Sequence, residues 1–230
     1  MLLQQCAELA HEIFGFFLDL DIAVAHDAER AAAAQLEAGE EPFEAEQQPR
    51  EIDEALPRHR IWGMYLAMFQ ASDGPEVVPP TAANMALVGT HDTPTFAGWL
   101  KGEDIADRVR YGLLSPAAVP EVTEERARAA GWLAAQVGAT VGDPPGFLAD
   151  LLAWLGRSES PLVVPWFEDL WLEEVAVNLP GTPSSVRPNW QRPLRRLLEG
   201  IFTDPEVDRA LRHLHRARNS EAGVAPLAHS

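Results

Sequence analysis

The chain has 230 residues, 47% of them apolar, enough to bury the core of one large domain or two small ones. Its formal net charge of -17 argues against a nucleic-acid partner, because phosphate binding draws on clustered Lys and Arg, and a neutral or cationic ligand is expected instead. The lone Cys6 allows no internal disulfide, which makes the cytoplasm the expected compartment.

The apolar N-terminus holds Glu8, His11 and Glu12 within the run and no basic residue ahead of it, so it reads as neither a signal peptide nor a membrane span. Leu9, Ile13, Phe16, Phe17 and Leu20 recur at three- and four-residue spacings and predict a helix over 7–36. The acidic stretch EAGEEPFEAEQQPREIDEAL, broken by Pro42 and Pro49, reads as an exposed connection, which makes 1–57 a helical segment plus linker. Three buried strands are predicted next: RIWGMYLAMFQ at 60–70, MALVGT at 85–90 and PLVVPWF at 161–167. Helices are predicted over 102–114, 123–137 and 146–155. Strands alternating with helices predict an α/β fold of parallel βα units. An amphipathic, arginine-rich part covers 193–218 and a frayed tail 219–230.

Reactive side chains in parallel βα architectures sit at the carboxyl ends of strands, where the backbone leaves the sheet. His91 and Asp92 occupy that place in LVGTHDTPTFAGW. Position alone leaves a plainer alternative open, in which Asp92 caps the next helix and His91 packs beneath it. No second His or carboxylate stands nearby at a metal-ligand spacing, so no metal is expected. A second chemistry-bearing segment is NLPGTPSSVRPNWQRPL, which joins Asn178, Arg187, Asn189 and Trp190 to three prolines and a glycine ahead of Gln191. Amides and guanidinium groups meet hydroxyls, and an indole covers the apolar face of a pyranose, so the mixture suits sugar recognition. Its alternative is a stiff crossing loop with Trp190 as a core anchor.

GTHDTPTFAGWL, PLVVPWFEDLWLEE and NLPGTPSSVRPNWQRPL, in that order, resemble the C-terminal part of the 4-α-glucanotransferases (amylomaltases) of glycoside hydrolase family 77, and GMYLAMFQASDG resembles the family strand before the His-Asp strand. The likeness covers 58–218. It implies the last three βα units of a (β/α)8 TIM barrel, no cofactor, and retaining transfer of α-1,4-glucan segments between maltooligosaccharides. By the same likeness Asp92 is the transition-state-stabilising carboxylate and His91 a donor to the same sugar. Phe69 becomes an aromatic platform, Asp73 a sugar-binding carboxylate, and Asn178 a contact from its loop. An oxocarbenium-like transition state flattens the ring, and hydrogen bonds that tighten during flattening lower the barrier by about a few kcal/mol.

A retaining enzyme needs two more carboxylates about 5 Å apart. The family's Arg-x-Asp-His and Glu-Asp-Leu-Gly motifs are not found; AHDAER at 25–30 has its Asp and His in the wrong order, and Glu41 or Glu44 would serve only in a shifted register. A full barrel takes about 250 residues, so a truncated form is expected. Unpaired strand edges then predict self-association. The competing readings are a catalytically inactive α-glucan-binding remnant and a helical interaction protein that uses the amphipathic part over 194–218.

Overall fold

Short runs of Val, Leu, Met and Tyr form three parallel strands: β1 (Gly63–Leu66), β2 (Asn84–Leu87) and β3 (Leu162–Val164), in the order β1-β2-β3. Gly63 pairs with Asn84, and Met85 pairs with Leu162. The computed structural model describes residues 56, 58, 59, 61–71, 74–201 and 203–220. The helix expected over 7–36, all but the end of the acidic connection, Asp73 and most of the expected tail lie outside them.

Each strand is shorter than the sequence predicts, for an identifiable reason. After Leu66 the chain turns into α1 (Ala67–Gln70), tied down by the Met68 N–H donating to Val88 O at 3.3 Å. Phe69 therefore stands on a helical turn. β2 gives way before Gly89, where an added Cβ would come within 2.5 Å of Met68 Cε and 2.6 Å of Thr93 Oγ1. β3 stops ahead of Pro165, which has no N–H for the ladder. The strands were expected to be buried, but one of their faces is only partly covered. Tyr65 and Ala86 point into the core, while Met64 is 60% and Leu162 40% exposed.

The helices follow recognisable caps. Thr95 accepts the Gly98 N–H at 3.2 Å and starts α2 (Phe96–Lys101), and Gly102, at φ 76°, ends it and opens α3 (Glu103–Arg110). The long α4 (Val119–Val137) precedes α5 (Pro144–Gly156), whose Asp143 cap and Pro144 suit a first turn. The amphipathic part expected to run over 193–218 is broken into α6 (Leu198–Ile201) and α7 (Pro205–Ser220), because Pro205 restarts the helix; α7 reaches past the predicted onset of the tail. Among the described residues no helix is long and apolar enough to cross a membrane.

Phe96 meets Phe147 edge-on at 5.2 Å, and Leu133, Leu151, Leu155 and Ile201 close the core around them with no exposed surface. α7 lies along α5, where a Cβ on Gly156 would sit 3.0 Å from Leu214 Cδ1. A closer approach matters for the site: a Cβ on Gly98 would stand 2.1 Å from the Glu174 carbonyl oxygen. Backbone cannot rotate away as a side-chain tip can. Gly98→Ala is therefore expected to destabilise the fold by about 1–3 kcal/mol, read as a lower urea midpoint; an unchanged midpoint would show that the loop around Glu174 yields freely.

Candidate functional site

Because all three strands run the same way, their carboxyl ends open on one side of the sheet. α1 brings Phe69 there, β2 runs out to His91 and Asp92, and β3 runs out to Trp166. Beyond β2 the chain makes a tight turn. Thr90 N–H donates to Thr93 Oγ1 at 2.8 Å, Thr93 Oγ1 donates to Thr90 O at 2.9 Å, and Asp92 N–H donates to Thr90 Oγ1 at 3.3 Å. In an extended strand neighbouring side chains point to opposite faces. This turn lets two neighbours meet instead, with His91 Nε2 3.0 Å from Asp92 Oδ2. Asn178 Nδ2 donates to the other oxygen, Oδ1, at 2.7 Å.

Thr95, not Asp92, caps α2, and the Asp92 side chain is half-exposed, so the capping alternative does not describe this carboxylate. The bond from His91 holds its pKa below the usual carboxylate range; partial burial opposes this, and the Asn178 bond reinforces it. Asp92 is thus ionised at neutral pH, with its outer lone pairs open to a ligand.

The His91 ring lies 5.1 Å from the Trp190 ring and 5.8 Å from that of Trp166. Trp190 adopts φ 62° and is 58% exposed, so it is no core anchor. Arg187 and Asn189, which the sequence suggested as sugar-facing, are buried and spent on the loop itself. A cleft of about 460 Å³ runs from Asp92 and Asn178 past the half-exposed Phe69 to α3. Among the described residues no three His, Cys, Asp or Glu side chains converge as a metal site would need. Asp73 is outside the described residues, so its distance from Asp92 is not part of this geometry.

The protein-family model for 4-alpha-glucanotransferase, glycoside hydrolase family 77, matches residues 24–199. The chain belongs to this family. The 4-alpha-glucanotransferases of Mycobacterium bovis and Mycobacterium tuberculosis are 36% identical to it over 132 residues, which cover 52% of this chain and 18% of theirs. The crystal structure of an amylomaltase from Corynebacterium glutamicum superposes with a TM-score of 0.60 at 25% identity, covering 75% of this chain and 28% of that one. The chain thus spans less than a third of the family members it matches.

Sequence reasoning passed over two residues that the structure places beside the site. Trp166 was counted as strand; Pro165 is the signal that the chain has already left the sheet where reactive groups gather. Asp169 lies in the 3-10 turn Glu168–Trp171 after β3 and is fully buried. Its Oδ1 accepts the Phe96 N–H at 2.7 Å, while Oδ2 has no hydrogen-bond partner among the described residues. Burial pushes its pKa up to about 7, against the Phe96 bond, which lowers it, and with help from Glu168. A carboxyl raised on folding favours the native state while it is protonated, so stability is highest below the unfolded value of about 4 and falls as pH rises to about 7. Asp169→Asn keeps the acceptor for Phe96, and its urea midpoint is expected to fall less than that of the wild type across that window; parallel curves would exclude Asp169 as the source.

Proposed function

We propose that the chain carries the transition-state-stabilising part of a 4-α-glucanotransferase, which passes α-1,4-glucan segments between maltooligosaccharides with retention of configuration. On this reading the parallel strands are the last three βα units of a (β/α)8 barrel. The observation that carries it is the ionised, half-exposed Asp92, held between His91 and Asn178 at the mouth of a cleft that Phe69 also lines. Asp92 accepts hydroxyls of the sugar at the cleavage point, and those bonds tighten as the ring flattens. His91, turned toward Asp92, orients the carboxylate and reaches the same sugar. Phe69 and Trp190 offer flat apolar surfaces to pyranose faces, and Asp73 and Asn178 contribute polar contacts.

Neither the Arg-x-Asp-His nor the Glu-Asp-Leu-Gly motif is found among the 230 residues, so this chain alone is expected not to convert maltotriose into glucose and longer oligomers. Glucose release by the purified chain, abolished in Asp92→Asn, would force a search for a nucleophile within it. The catalytic role is tested in a chimera in which residues 58–218 replace the matching segment of the Corynebacterium glutamicum amylomaltase. There Asp92→Asn is expected to lower kcat by roughly two orders of magnitude while glucan binding changes little, and His91→Ala to cost less. Equal losses in kcat and binding would make Asp92 a general sugar contact only.

A second reading, an α-glucan-binding remnant without turnover, is favoured by the exposure of Trp190 and Phe69, at 58% and 52%. It predicts retardation of the isolated chain on amylose that Trp190→Ala abolishes.

A further inference from the structure

The position of Asn178 is fixed from behind its loop. Arg187, 6% exposed, donates through Nη2 to Ala176 O at 2.7 Å and through Nη1 to Val177 O at 3.4 Å, the two carbonyls that precede Asn178. Asn189, equally buried, accepts the N–H of Leu179, the residue that follows, through Oδ1 at 3.2 Å. The same oxygen takes Arg187 Nη1 at 2.6 Å, which joins the two grips into one. Asp107 on α3 accepts from Arg187 Nη2 at 3.3 Å and anchors the assembly outside the loop. Asn189 Nδ2 reaches Thr182 O at 2.8 Å, and the Trp190 N–H returns to Val177 O at 3.1 Å.

We propose that Arg187 and Asn189 are positioning residues that hold the Asn178 amide against Asp92. Its catalytic meaning rests on the role given to Asp92 above, but the contact itself exists without sugar. A hydrogen bond to an exposed carboxylate competes with water and holds only where the donor is already placed. With the backbone pinned at Val177 and Leu179, the Asn178 side chain has only its own rotamers to settle. Arg supplies what Lys cannot, a planar fork that serves several acceptors at once. Losing the placed donor removes a bond to the ionised form of Asp92 and raises its pKa.

The test follows the Asp92 carboxyl carbon by NMR through a pH titration of the 230-residue chain. Asn178→Ala removes the donor and sets the scale by moving the midpoint up. Arg187→Lys, which keeps the charge, and Asn189→Ala, which changes none, are expected to move it up by a comparable amount and to add nothing in the Asn178→Ala background. His91, and Glu103, Asp104, Asp107, Arg108 and Arg110 lining the cleft from α3, stay the same in every variant. Midpoints at the wild-type position in both brace variants would overturn the proposal. So would a rise that persists in the Asn178→Ala background, since that marks a field effect on Asp92 rather than a placed amide. If Arg187→Lys does not fold, Asn189→Ala decides alone. The titration needs no glucan, so its outcome stands apart from the fate of the transferase reading, which Asp92→Asn decides in the chimera.

Discussion

Parallel pairing of three very short strands is the constraint from which the site follows. Four residues of β1, four of β2 and three of β3 are all the regular sheet there is among the described residues. That is enough to fix direction. With Gly63 opposite Asn84 and Met85 opposite Leu162, the three chains leave the sheet on the same side and within a few residues of one another. Phe69, His91, Asp92 and Trp166 are therefore neighbours by topology before any side-chain contact is made. An antiparallel strand in the middle would have sent His91 to the opposite edge.

What the sheet leaves undecided, buried polar groups settle. Asp169 reaches from the segment after β3 to the first turn of α2, and Glu173, almost fully buried, accepts the N–H groups of Glu174 and Val175 while Arg192 and Arg195 approach it at 3.5 Å. A buried carboxylate without partners costs several kcal/mol. These carboxylates are held near the site because the loops there have no ladder to fix them, and side-chain acceptors replace it. The incomplete satisfaction of Asp169 is the visible residue of that compromise, and its pKa near 7 is its electrostatic expression. The contact of Gly98 with Glu174 O belongs to the same scheme, since helix and loop approach more closely than any side chain would permit.

The sequence disclosed the elements and the His-Asp pair, because apolar runs, caps and turn residues are local signals. β2 was legible from MALV, and α4 and α5 from the helical stretches between the second and third strands. The short extent of β1 and β2 was not, because Gly89 and Met68 interact across the fold and no local window along the chain contains both. Arg187 and Asn189 looked sugar-facing for a similar reason. Composition marks a side chain as able to hydrogen-bond, and only the fold decides whether its partner is a ligand or the loop's own carbonyls. Trp190 was decided the other way: at φ 62° it is left exposed, with its indole 5.1 Å from the His91 ring.

The way Asp92 is held bears on what it can do. His91 and Asn178 each engage a different oxygen, which leaves lone pairs on both for hydrogen-bond donors in the cleft. Neither of these partners is a fixed cation, so among the described residues the carboxylate is steadied without a direct ion pair to an arginine or lysine. On the proposed transferase reading that distinction matters, because an α-glucan is itself uncharged. A carboxylate locked into a full ion pair would have little left for the positive charge that develops on a flattening sugar ring, whereas a free one would spend entropy on finding its position. Asp92 lies between these limits: oriented beforehand, ionised at neutral pH, and still half open to the cleft; on the proposed transferase reading, the interaction with most to gain is then the one made when the ring becomes cationic.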